Sequence, residues 1–271
     1  MGWYLYGREI RPPNGSEAMA DNNNINLLNK TFDVIELLAS SGREMGVSEI
    51  SRRLSMVKSG TFRILNTLKE RDLVYQNPAT KCYALGLKLY FIGSAAQAGL
   101  PLCTVAKKHL DALSITYEEC FELSIPYEQS TSVPSCLVVC SGSAFSSARG
   151  MPNLLRPLHA TSAGKCLLAF SSGSDVKSYQ GFELKAFTDK TITSWETLNA
   201  ELPVIRDRGF SSCKSEYENG VNGLAVPVYD SMHSLLGALS VSGTSDHMNK
   251  LSEDELVRAL QRASRNIGKN F

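Results

Sequence analysis

The sequence has no Cys-x-x-Cys pair, no His-Glu-x-x-His run and no Gly-x-Ser-x-Gly elbow. Those absences argue against zinc ribbons, thioredoxin-like redox centres, zincin-type metalloproteases and the nucleophile turn of serine hydrolases. No apolar run approaches the roughly 18–20 residues a membrane-spanning helix needs. The apolar patch around Trp3 to Tyr6 is too short for a secretory segment and follows no basic stretch. Seven cysteines, an odd number, lie scattered from Cys82 to Cys213. They read as reduced, partly buried thiols in a reducing compartment, and the expected location is the cytoplasm. Ser162-Ala163-Gly164-Lys165 invites a phosphate-loop reading, but His159 and Cys166 stand where that loop needs Gly and Ser or Thr. No cofactor, metal ligand or catalytic residue is assigned.

At 271 residues the chain has room for two domains. The net charge of +1 hides an uneven distribution. Residues 25–90 carry 10 basic and 6 acidic side chains, whereas residues 91–271 carry 16 and 18. A small basic module beside a mildly acidic larger one suits a nucleic-acid binder joined to a second function.

Residues 1–24 read as a disordered tail, with turn signals at Arg11 to Gly15 and Asp21 to Asn24 and an alternative start at Met19. A first helix is expected from about Leu27 to Ser40, with Leu27, Leu28, Ile35 and Leu38 on one face. A short second helix follows, carrying Ile50 and Leu54 inward, and Ser55-Met56-Val57 links it to a third over about Lys58 to Arg71. The third helix turns Thr61, Ile64, Leu65 and Leu68 inward, and presents Lys58, Ser59, Phe62, Arg63 and Asn66 outward. This is the pattern of a helix-turn-helix, whose second helix enters the major groove. Arg63 suits guanine or phosphate, Asn66 adenine, and Phe62 a thymine methyl. Lys58 and Ser59 suit phosphate at the positive helix end. Thr61 is included among the DNA-binding candidates with them. Leu73 to Gln76 and Cys82 to Leu85 read as a hairpin, hence a wing, with Lys81 at its tip.

These residues resemble the IclR family of bacterial transcription regulators. The likeness runs through Gly46 to Val74, Tyr83 to Leu89, Arg156 to Phe170, Thr191 to Thr193, Arg208 to Asp230 and Gly237 to Gly243. The resemblance implies an α/β chain: an N-terminal winged helix-turn-helix domain (residues 25–86) and a C-terminal GAF-like α/β effector-binding domain with an antiparallel sheet (102–271). A linker segment (87–101), helical from Leu87 to Ala98, joins them. It also implies a homodimer or dimer-of-dimers tetramer on double-stranded operator DNA, and a small-molecule effector. Effector positions would fall on Phe145, Ala148, Ser162, Ala163, Cys213, Val221, Gly223, Ser240 and Ser242.

Read on its own terms, the C-terminal region alternates strand-like and helix-like stretches, with capping boxes expected at Thr193 and Ser252. Ser162-Ala163-Gly164 would open a helix whose N–H groups favour an anion such as a carboxylate. Ser240 and Ser242, two apart on a strand, share a face. Cys213 and Gly223 depart from the family pattern, and with Phe145 they suggest a roomier, less polar pocket for an acid with an apolar or aromatic body. Two other classes compete: an enzyme acting on a small carboxylate, for which sequence alone assembles no Cys-His pair and Cys213 with His159 is the formal candidate, and an interaction scaffold that does not bind DNA.

Overall fold

A computed structural model describes residues 3–5, 8–10, 26–127, 135–142, 155–171, 176–177 and 179–271. The chain divides into two compact units, one formed by residues 14–99 and the other by residues 100–271 together with 1–13. Within the segment read as a disordered tail, β1 (Trp3–Leu5) and β2 (Arg8–Ile10) pair antiparallel, and the rest of that segment lies outside the described residues. Among the described residues no single helix is long and apolar enough to cross a membrane.

The smaller unit begins with α1 (Asn26–Ser41), α2 (Val47–Arg53) and α3 (Lys58–Glu70). Its core gathers Val34, Leu38, Met45, Ile50, Ile64, Leu65, Leu68, Val74 and Tyr83. Leu27 and Leu28 do not join it, and Phe32 is also exposed. The α1 stripe is thus narrower than the leucine spacing suggested, because only its second half lies over α2, α3 and the hairpin. The link between α2 and α3 closes as a Schellman motif. Met56 N–H donates to the Ser51 carbonyl (2.9 Å) and Ser55 N–H to the Arg52 carbonyl (3.3 Å). Ser55 occupies the left-handed position, φ 51°, where glycine is usual.

The hairpin of β3 (Val74–Gln76) and β4 (Tyr83–Leu85) follows α3 directly. Its turn is built by Asn77, whose Oδ1 accepts from the N–H groups of Ala79 (2.9 Å) and Thr80 (3.3 Å). Glu44 clamps the turn from below, accepting from Asn77 Nδ2 (3.0 Å) and Thr80 Oγ1 (3.1 Å). Helix α4 (Leu87–Ala98) has the bounds expected of the linker helix, and none of its residues is buried.

The larger unit is a six-stranded antiparallel sheet. Its strands are β5 (Cys120–Tyr127), β6 (Ser135–Ser141), β7 (Leu155–Pro157), β8 (Ser211–Lys214), β9 (Val221–Tyr229) and β10 (Leu235–Thr244). Their order is β7-β6-β5-β10-β9-β8. Residues alternate between faces, and each face has its own helices. Leu123, Val139, Leu224, Val226, Leu239 and Val241 pack with α5 (Pro101–Tyr117) and the last helix, Glu253–Gly268. The opposite face, with Cys136, Ala225 and Ala238, packs with α6 (Ser162–Phe170) and α7 (Trp195–Arg208). A short helix α8 (Ser245–Met248) precedes the last one, α9. Ser252 caps α9 as expected. The cap of α7 is Ser194 rather than Thr193, its Oγ accepting from Thr197 N–H at 3.1 Å. With a serine and a threonine adjacent, the spacing fixed the box only to within one residue.

Candidate functional site

In α3, the buried residues Ile64, Leu65 and Leu68 define the inner face, and Lys58, Ser59, Phe62 and Arg63 stand exposed away from it. Phe62 keeps 47% of its surface open, enough for an aromatic ring to press a base. Asn66 is half-buried at the edge of that face. Thr61 must be withdrawn as a DNA contact: it is fully buried, and its hydroxyl bonds back to the Val57 carbonyl (3.3 Å). The same 3.6-residue period that exposes Phe62 and Arg63 turns Thr61 inward. Val57 opens α3 without a side-chain cap, so the first-turn N–H groups beside Lys58 and Ser59 have no side-chain acceptor there. Lys81 is exposed at the wing turn, with φ 59°. The Glu44 clamp holds that wing turn, and no helix or strand periodicity announces it.

The second constellation lies on the α6 face of the larger sheet. Thr161 caps α6, accepting from Gly164 N–H at 3.1 Å. A side chain on Gly164 would collide with the backbone of Leu158, so only glycine lets α6 start so close to the preceding turn. Ser162 and Ala163 are buried in the first turn, and the Ser162 carbonyl accepts from the Ser211 hydroxyl (2.6 Å). On β10, Ser240 is paired with Ala225 on one side and Glu122 on the other, and Ser242 with Gly223 and Cys120. Both serines therefore share the face of Ala225 and Ala238, the α6 face. Val221, half-buried, lies two residues before Gly223 on that face. Phe145 and Ala148 lie outside the described residues.

Two expectations about this face change. A Cβ on Gly223 would sit 2.9 Å from Ser162 Oγ, so the room that glycine leaves is taken by the serine. Cys213 turns its thiol to the Ala160 carbonyl (3.2 Å), and burial pushes its pKa up. His159 places Nε2 against the Lys185 carbonyl (2.9 Å), and burial lowers its pKa. Cys213 and His159 thus have separate carbonyl partners, and the arrangement is not that of a nucleophile beside its base.

Sequence reasoning missed Glu122 and Arg156. Glu122 lies on β5 directly opposite Ser240, with its side chain only 10% exposed, and Arg156 Nη2 is 3.9 Å away. The signal was a charge within Cys120 to Ile125, a run buried on both faces. The Arg156 guanidinium lies 5.8 Å from the centre of the Tyr217 ring, and Tyr217 meets Phe187 edge-on at 4.9 Å. The loop carrying Tyr217 is pinned from two sides. Thr188 and Thr191 donate to the Ser215 (2.7 Å) and Glu216 (2.6 Å) carbonyls. Lys165, only 1% exposed, bonds Glu216 at 2.8 Å and Glu201 at 3.0 Å. The lysine that suggested a phosphate loop is a buried structural cation. Among the described residues no group of three or more His, Cys, Asp or Glu side chains is placed to hold a metal ion.

A winged helix-turn-helix joined to an α/β domain with a polar, helix-covered sheet face defines a DNA-binding transcription regulator with an effector-binding domain. Residues 95–269 match the family described as bacterial transcriptional regulator IclR C-terminal, and residues 27–78 match the IclR helix-turn-helix domain. The chain belongs to the IclR family. It is 32% identical over 239 residues to the HTH-type transcriptional regulator KdgR of Escherichia coli, covering 88% of this chain and 89% of that protein. Among solved structures, the IclR of Thermotoga maritima superposes with a TM-score of 0.66 at 25% identity, covering 90% of this chain and 98% of that one. An IclR homolog of Microbacterium hydrocarbonoxydans complexed with 4-hydroxybenzoate shares the fold at a TM-score of 0.73 and 20% identity, covering 89% and 97%.

Proposed function

We propose that a small carboxylate, bound on the α6 face, controls operator binding by a dimer of this chain in the cytoplasm. The observation that carries the reading is that Ser240, Ser242 and Arg156 share one covered sheet face, with Ser162 of α6 seated over Gly223, which suits an anion with hydrogen-bonding substituents. Lys58, Ser59, Phe62, Arg63 and Asn66 on α3, with Lys81 on the wing, are the proposed DNA contacts. Support for a dimer comes from α4, where Leu87, Tyr90, Phe91 and Ile92 are all exposed, Leu87 at 88%. Two recognition helices then read two half-sites. Ligand acts by linkage, binding one arrangement of the dimer better than the other.

The test is fluorescence anisotropy of the purified protein on DNA from upstream of its own gene, with and without organic acids. Arg63→Ala is expected to weaken binding by about 1–3 kcal/mol. Equal affinity for that DNA across a panel of acids that do bind the protein would refute effector control. Binding by Arg63→Ala unchanged in affinity and salt slope would refute the assigned DNA face.

A further inference from the structure

We propose that Cys103 and Cys140 form a redox-active dithiol, which a peroxide closes to a disulfide between the first turn of α5 and strand β6. The pair lies on the α5 face of the larger sheet, opposite the face that carries Ser240 and Ser242, so the proposal stands whichever ligand that other face takes.

Each thiol meets the backbone of the other's segment. Cys103 Sγ donates to the carbonyl of Val139, the residue before Cys140, at 3.2 Å. Cys140 Sγ lies 3.8 Å from the carbonyl of Cys103 itself. The two cysteines stand 37 positions apart in the chain, and the packing of α5 on β6 brings them together. Their thiols are also hydrogen-bonded to one another. A β-bulge aims Cys140 this way. Ser124 pairs with Val138 and Leu123 with Cys140, so Val139 is the extra residue. In strict alternation from Leu137, Cys140 would face α6, and the bulge returns it to the α5 face beside Leu123.

The surroundings decide which thiol attacks. The Cys103 thiol and the charge of Lys107 hold Cys140 below its ordinary pKa against burial and Asp111, whereas Cys103 is pushed up by its bond to Cys140 and by burial. Lys107 sits one turn after Cys103 on α5, its Nζ 3.3 Å from the Ser141 carbonyl and 2.6 Å from Asp111 Oδ1. The thiolate is the reactive form of cysteine, and a nearby cation favours it. Cys136 and Cys166 are the contrast. Both are fully buried on the α6 face, and burial pushes Cys136 up to about 12 and raises Cys166 as well. Cys103 and Cys140 keep 7% and 6% of their surface open, in the first turn of a helix and one residue from the end of a strand. An oxidant not much larger than water has a shorter way to them than to Cys136 or Cys166.

Hydrogen peroxide balances the reaction. The Cys140 thiolate attacks one peroxide oxygen: an S–O bond forms, the O–O bond breaks, and the departing hydroxide takes a proton to become water. The Cys103 sulfur then attacks the Cys140 sulfenic sulfur. The S–S bond forms, the S–O bond breaks, and the hydroxyl leaves as water with the Cys103 proton. Two thiols are oxidised, one peroxide is reduced and two waters are released. A dithiol reductant restores both thiols by exchange. The bond staples to the sheet the turn at which α5 begins, three positions after α4 ends. Oxidant is then an input to this domain separate from its small-molecule ligand.

The test treats the reduced full chain with hydrogen peroxide, blocks the remaining thiols with iodoacetamide after unfolding, and maps disulfides by fragmentation mass spectrometry. A Cys103–Cys140 link is expected, reversed by dithiothreitol and formed at least about tenfold faster than Cys136 or Cys166 is oxidised. In Cys103→Ser the link is lost, and Cys140 is expected to accumulate as a sulfenic acid that dimedone captures. In Cys140→Ser, dimedone labelling of Cys103 is expected to be about tenfold lower than that of Cys140 in Cys103→Ser. The wild-type map requires no variant, so it decides the matter even if a substitution fails to fold. A link between any other pair, no link between these two, or a link that forms only once near-ultraviolet circular dichroism shows unfolding would overturn the proposal. Cys103 labelled as fast as Cys140 would overturn the assignment of Cys140 as the attacking thiol.

Discussion

Lys165 Nζ lies 2.8 Å from Glu216 Oε2, inside the larger domain and at the root of the loop that carries Tyr217. Both side chains are buried, and Glu201 completes the cluster from α7. Removing one member of a buried ion pair leaves an uncompensated charge, a loss of about 3–5 kcal/mol. Lys165→Met is therefore expected to lower the unfolding free energy by that order in urea denaturation. A change below about 1 kcal/mol would mean that water reaches Glu216 and screens it.

Gly60 sits in the first turn of α3, and a methyl group added there would meet nothing within 4 Å. Glycine costs a helix interior roughly 0.8–1 kcal/mol relative to alanine. Gly60→Ala is expected to raise the stability of the DNA-binding domain by about that amount, read as a higher melting temperature. A simultaneous loss of operator affinity would show that the bare backbone of this turn lies against DNA. An unchanged or lower melting temperature would refute the propensity argument.

The wing depends on Glu44. Glu44→Ala removes the acceptor of both Asn77 Nδ2 and Thr80 Oγ1 and leaves the buried core intact. Amide hydrogen exchange at Ala79 and Thr80 is expected to quicken, while exchange at Leu65 and Leu68 in α3 stays slow. Equal acceleration at all four would mean that Glu44 supports the whole domain instead of the turn.

Acid should weaken the fold through histidine. Burial holds His159 below its ordinary value of 6.5, and His109 is lowered for the same first cause. The unfolded chain protonates first as pH falls, so this contribution is complete above about pH 6.5 and is lost progressively toward the lower folded value. The urea midpoint is expected to drop between pH 7.5 and about 5 by this argument. His159→Gln is expected to flatten part of the drop. A midpoint that rises on acidification would contradict the sign.

Helical period and charge distribution carried the DNA-binding half. Thr61, Ile64, Leu65 and Leu68 are inward as their spacing requires, whereas the bounds of α4 followed from the family resemblance. Leu27 and Leu28 were misplaced because periodicity marks an apolar stripe without saying whether a neighbour covers it. The proposed effector face was legible only where local pattern sufficed: Ser240 and Ser242, two apart on one strand, do share a face. Glu122 and Arg156 come together through pairing between distant segments, β5 with β6 and β6 with β7. No local rule brings them near each other. Gly223 was read as empty space because its filler, Ser162, comes from a helix about sixty residues earlier.

Helix α4 has consequences for dosage. A twelve-residue helix that buries nothing is marginal by itself in water. If a second copy supplies the missing cover, as proposed, its order follows a second-order equilibrium. The concentration of dimers able to span two half-sites then climbs with the square of the free chain at low abundance, before any ligand acts. Halving expression would remove more than half of the competent regulator. Copy number would thus be an input to this switch, alongside whatever acid occupies the sheet.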